Sequence, residues 1–153
     1  MKIIGRLKQY YTKVMDIPDA PIKIARGAAL GVAMDFLPIP LISIPIAYLA
    51  ARLAGGNGVA AALTAAFFKW AVPFFYVLNV ATGSLVLGFD EFDKMEKVMK
   101  MDGFTPSDWL NYLTRLGYPF LAGAAINSFL TGLMLFFIVR RILILRQKRK
   151  GII

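Results

Sequence analysis

The spacing of hydrophobic and polar positions changes along this chain, and each change predicts a different kind of element. Residues 1–17 follow a helical period, with Ile3, Ile4, Leu7, Tyr10, Tyr11, Val14 and Met15 on one side and Lys2, Arg6, Gln9 and Lys13 on the other. The apolar positions are scattered by period rather than run together, so this is not the core of a signal peptide. It reads as an amphipathic interfacial helix on an anionic leaflet, or as one packed on the cytoplasmic side of the protein itself.

Residues 18–88 are apolar throughout but irregular. The first stretch, 20–54, starts as a helix after Pro21, and its Gly27 and Gly31 form a small-residue face for close helix packing. It then meets Pro38 and Pro40, which remove backbone donors and block a continuous helix, before turning helical again up to Arg52. Each arm is shorter than the roughly 20 residues of a full span, so a re-entrant hairpin is expected. The second stretch, 58–88, is helical with a kink or break expected at Pro73. Asp35 and Lys69 lie near the middles of the two stretches.

Residues 89–117 are polar and net acidic, with a helix start predicted at Thr105-Pro106. Residues 118–139 are charge-free for about 33 Å of helix, enough to cross a bilayer. A stripe through Gly123, Asn127, Ser128 and Thr131 is expected to pack inward. The transmembrane unit is placed at 118–146 and a basic tail at 147–153. The fold class is therefore all-α, a multi-pass integral membrane protein with proline-broken or re-entrant helices and one clean C-terminal transmembrane helix.

Composition agrees: 58% of residues are hydrophobic, 18% charged, and mean hydropathy is +0.63. The net charge of +9 sits mainly at the two ends. Lys2, Arg6, Lys8, Lys13, Lys23 and Arg26 lie in the first 26 positions, and Arg140, Arg141, Arg146, Lys148, Arg149 and Lys150 near the other end. This is the positive-inside pattern of a bacterial inner-membrane protein with both termini cytoplasmic, rather than a nucleic-acid module. The expected partners are a bilayer with anionic headgroups and a homo-oligomer or other members of a membrane complex. The chain has no Cys and no His. No phosphate loop, nucleophile elbow or metal-ligand cluster is present, so neither an enzyme, a metal nor a cofactor is expected.

An ionisable side chain in a membrane segment is a functional candidate, which singles out Asp35 and Lys69. They could also form a salt bridge that only holds two broken helices together. Arg26 and Arg52 are candidates for a phosphate site at the cytoplasmic mouth, or snorkel to the interface. Asn79, Asn127, Ser128 and Thr131 read as interhelical glue. Two functions remain open: a small transporter or facilitator for an anionic or lipid-linked solute, or a non-catalytic structural or assembly subunit of a membrane complex.

The run Ala20-Pro21, Lys23-Ile24-Ala25, Gly27, Ala29, Gly31-Val32 and then Leu37-Pro38-Ile39-Pro40 resembles a prokaryotic membrane-protein family, catalogued as domain of unknown function twenty sixty-two. Arg52 and Asn57 look like its Arg…Asn region, and Pro73-Phe74-Phe75-Tyr76 like its later segment, so the resemblance covers about residues 20–88. It implies a small inner-membrane protein, in some relatives joined to a glycosyltransferase domain, with no catalytic residue to carry over. The chain departs from the family pattern at Asp35, where a small residue is usual, and at Lys69-Trp70, in place of Asn-Pro. An opposite-charge pair at both expected breaks suggests that the breaks meet in space.

Overall fold

The computed structural model describes residues 2–39, 42–88 and 106–151, with the backbone alone for residue 2 and for 106–116. The described residues form an all-helical structure: α1 (Lys2–Met15), α2 (Pro21–Phe36), α3 (Ser43–Leu53), α4 (Gly58–Phe68), a 3-10 turn (Lys69–Ala71), α5 (Val72–Leu87) and α6 (Pro106–Arg149). Pro40 and the acidic section 89–105 lie outside the described residues.

Local chemistry sets the ends. Pro21 opens α2 in the first turn, where its missing N–H is not needed. At the other end Pro38 cannot donate to Met34, and the Leu37 N–H takes that carbonyl instead at 3.2 Å. α3 starts at Ser43 with Pro45 in its first turn. It ends in a Schellman motif: Gly55 is left-handed at φ 70°, Gly56 N–H donates to Ala51 O at 2.7 Å, and Gly55 N–H to Arg52 O at 3.3 Å. Asn57 then caps α4 by accepting from Ala60 N–H at 2.9 Å. The expected break at Pro73 falls at Lys69–Ala71, ahead of the proline. Pro73 cannot donate to Lys69 O, so Val72 N–H closes a tighter turn on it. α6 is two helices, 106–116 and 118–149, parted at Gly117 (φ 66°, ψ −178°). The second runs unbroken to Arg149, so residues 147–149, expected in the basic tail, are helical.

α2 is the centre of the packing. α3 folds back along it, with Ser43 beside Asp35 at one end and Asn57 N–H bonded to Lys23 O at 2.8 Å at the other. α4 runs parallel to α2 at very short range. A Cβ on Gly27 would come 2.1 Å from Asn57 O, and one on Gly31 2.4 Å from Ala61 O. α6 runs antiparallel on another side, with Gly132 against Ala29, and Val139 and Leu143 in a core with Ile24, Ala25, Ala28, Val14 and Met15. α5 and α6 meet at Gly83 and Gly123, where added Cβ atoms would lie 1.6 Å from Pro119 O and 1.8 Å from Asn79 O. Backbones this close maximise van der Waals contact where no hydrophobic drive between helices exists.

Two helical stretches, Gly58–Leu87 and Gly117–Arg149, are long and apolar enough to cross a membrane. Their outward faces carry Leu85, Val86, Phe129, Leu130 and Met134, an apolar surface suited to hydrocarbon rather than water.

Candidate functional site

Asp35 is the last ionisable group before the break in α2, and its side chain is fully buried. Ser43, in the first turn of α3, donates from Oγ to Asp35 Oδ1 at 3.1 Å. Lys69, at the start of the 3-10 turn, places Nζ 3.4 Å from the same Oδ1 and also donates to Ser43 Oγ. The three residues come from three elements, so this cluster marks where the two breaks meet. Asp35 Oδ2 is buried and accepts no hydrogen bond from the described residues. Lys69 differs from its partner in being a third exposed.

The break also frees backbone carbonyls, and α5 supplies donors for them. In a continuous helix Phe36 O would accept from residue 40, a proline with no N–H. Here Asn79 Nδ2 takes that role at 2.8 Å, and the Tyr76 hydroxyl donates to Leu37 O at 3.2 Å. Phe75 stacks on Phe36 with ring centroids 4.3 Å apart. Lys69 and Asn79 are about 15 Å apart along a helix, yet both reach the last turn of α2, so α5 crosses the end of α2 instead of following it. The network continues into α6: Asn127 Nδ2 donates to Asn79 Oδ1 at 3.1 Å, and Thr82 Oγ1 to Asn127 Oδ1 at 3.1 Å. Asn79 and Asn127 thus bond between helices, whereas Ser128 bonds within its own, to Ala125 O.

Lys69 also lines a cavity of about 430 Å³ between α1 and α4, together with Arg6, Gln9, Tyr10, Lys13, Leu63, Ala66, Phe67 and Trp70. α1 runs antiparallel to α4. Val14 and Met15 are buried with Ala60, while Tyr10 bonds Thr64 Oγ1 at 2.8 Å and stacks on Phe67 at 4.5 Å. Burial raises the pKa of the Tyr10 phenol, partly offset by that hydrogen bond, so the hydroxyl stays neutral. Along the same helix Arg6, Gln9 and Lys13 line the cavity, and Ile3, Ile4, Leu7 and Tyr11 are exposed. α1 therefore meets α4 along the edge between its two faces, with Tyr10 and Val14 from the apolar side and Arg6, Gln9 and Lys13 from the polar side.

Arg26 and Arg52 do not share this cavity or one with each other. Arg26 ends an apolar groove of about 410 Å³ between α2 and α6, lined by Ala29, Ala33, Gly132, Leu133 and Phe136 among others. Arg52 lines a third, of about 300 Å³, with Asp19, Lys23, Tyr48 and Asn57. There Asp19 Oδ2 accepts from Asn57 Nδ2 at 2.8 Å, and this bond and that from Ala20 N–H hold its carboxyl below the usual range. The two arginines, expected at one cytoplasmic mouth, thus line different cavities. The sequence does not single out Ser43 as a partner of Lys69, or Arg6 and Lys13 as its neighbours in the cavity; the signal for them is a hydroxyl or a cation near an apolar run.

Among the described residues no cluster of His, Cys, Asp or Glu could hold a metal ion. No curated protein and no solved structure matches the chain. The model of one family, described as an uncharacterized protein conserved in bacteria (DUF2062), matches residues 5–151, well beyond the 20–88 block that carries the resemblance. With nearly the whole chain matched, the protein belongs to the DUF2062 family.

Proposed function

We propose that this protein is a small facilitator of the bacterial inner membrane for an anionic or lipid-linked solute, with both termini in the cytoplasm and no catalytic step. In this reading α4–α5 and α6 cross the bilayer, while α2 and α3 enter and return. Their 16 and 11 residues are about 24 and 17 Å of helix, short of a roughly 30 Å hydrocarbon core. Arg146 and Asp16, 2.9 Å apart, bring the ends of α1 and α6 to one side, the side rich in lysine and arginine.

One observation carries the reading. Lys69 has its ammonium on a buried carboxylate and its stem in a cavity that also takes Arg6 and Lys13. Cations facing one cleft in a membrane protein need water or an anion there, and proline-interrupted helices are where membrane carriers build such sites. A second reading, a structural subunit of a membrane complex, draws on the Asn79–Asn127–Thr82 network, which fastens three helices and leaves that region closed.

The chain has no cysteine, so single cysteines report cleanly. A membrane-impermeant thiol reagent, applied to cells and to inverted vesicles, should label Ala66→Cys in the cavity and spare Leu85→Cys on the apolar outer face of α5. Labelling of Ala66→Cys no greater than that of Leu85→Cys would overturn the facilitator reading and leave the subunit reading.

A further inference from the structure

We propose that the cleft between α1 and α4 binds the phosphate of an anionic amphiphile, with Arg6 and Lys13 on the headgroup and Phe67 and Trp70 along the first part of the chain. This gives the facilitator reading a substrate class, and rests on it for the movement of that substrate.

Charge comes first. Lys69 is matched by Asp35, so that pair adds no net charge to the cleft. Among the described residues Arg6 and Lys13 make no ion pair and no carboxylate lines the cleft. The cleft therefore presents two uncompensated positive charges, which matches a phosphate monoester carrying about −1.5 to −2 at neutral pH. Arg6 supplies a planar fork for two phosphate oxygens and Lys13 a point charge. Lys69 has three donors and spends two of them, on Asp35 Oδ1 and Ser43 Oγ, which leaves one.

The apolar half follows from the other lining residues. Leu63 and Phe67 of α4 and Trp70 of the 3-10 turn form the facing wall, and Trp70 is more than half exposed. An aromatic ring with a polar N–H suits the boundary between headgroup and chain. Finally, α1 is oriented as a lipid-facing helix would be. Its Ile3, Ile4 and Leu7 are 65, 74 and 57% exposed, while Arg6 and Lys13 line the cleft. A helix that only floated on headgroups would turn those cations to the leaflet instead.

Trp70 reports on the cleft once the other tryptophan is replaced by Trp109→Phe. The full chain in phosphatidylcholine nanodiscs should show a saturable change in Trp70 emission with dodecyl phosphate. The double variant Arg6→Gln/Lys13→Gln should weaken it by roughly tenfold or more, the scale expected for losing charge-assisted bonds. Both side chains are exposed, so their replacement leaves the fold intact, checked by circular dichroism. Equal binding of dodecanol, or an unchanged double variant, would overturn the proposal. Inorganic phosphate binding as tightly as dodecyl phosphate would overturn the amphiphile in favour of a free phosphate site. If dodecyl phosphate fails while Ala66→Cys still labels from water, only the substrate class is lost and the facilitator reading stands. If both fail, both fall.

Discussion

Replacing Lys69 by Met tests how the buried carboxylate at the helix break is held. Asp35 is fully buried and Lys69 a third exposed. Without the ammonium, Asp35 keeps one donor, Ser43 Oγ at 3.1 Å, in an apolar surround. Removing one member of a fully buried ion pair costs about 3–5 kcal/mol, and the partial exposure of Lys69 scales this to about 2–3 kcal/mol. Asp35→Asn should cost less, about 1 kcal/mol, because the amide still bonds Ser43 and Lys69 can turn to the cleft it already lines. In the double variant Asp35→Asn/Lys69→Met no charge is stranded, so its cost should also be about 1 kcal/mol and the coupling about 2 kcal/mol. The assay is reversible unfolding in mixed micelles by added dodecyl sulfate, followed by far-ultraviolet circular dichroism. The reasoning fails if Lys69→Met is no worse than Asp35→Asn, or if the double variant costs the sum of the two.

Two further predictions use the same assay. Gly83→Ala and Gly123→Ala each drive a Cβ to within 1.8 Å of a backbone oxygen, so the α5–α6 contact must separate; each should cost about 2–3 kcal/mol or more. Gly132→Ala, 3.3 Å from Ala29 O, should cost under about 1 kcal/mol, and equal losses at the three sites would argue against the packing described. Asn79→Leu removes the donor to Phe36 O and the acceptor for Asn127, and should cost about 2–4 kcal/mol, whereas a neutral result would mean that other donors serve the break.

Much of this architecture is legible in the sequence because its boundaries depend on local chemistry. Pro21, the Gly55-Gly56-Asn57 turn and Pro38 mark the ends of α2 and α3 wherever they sit in space. Asp35 and Lys69 stand out because a charge in an apolar run needs a reason. Ser43 does not stand out, since a hydroxyl at the head of a helix has several local uses and only the fold-back of α3 aims it at Asp35. The orientation of α1 is likewise hidden. A helical wheel separates Arg6 and Lys13 from Ile3 and Leu7, but which side meets the protein depends on the surrounding medium. In water the apolar side turns in; against lipid the same helix can turn it out. The 3-10 turn at Lys69–Ala71 is visible only as Pro73 three positions on, because a proline disturbs the turn before it.

The two proline breaks also explain why so few polar side chains in the apolar core are paired so specifically. A break in lipid cannot call on water for its freed carbonyls, so another helix must answer them. Asn79 does this for Phe36, and Asn127 in turn occupies the other end of the Asn79 amide. The Asp35–Lys69 pair does the same for charge, leaving the interior close to neutral. The uncompensated cations, Arg6 and Lys13, are outside that interior, on a helix packed through Tyr10, Val14 and Met15. In the proposed reading, shape and selection rest on different residues. Changes at Asn79, Gly83 or Lys69 should act first on folding, and changes at Arg6 or Lys13 on ligand binding in a protein that still folds. A structural subunit would have no need of that division, because it would have no ligand for the second set to select.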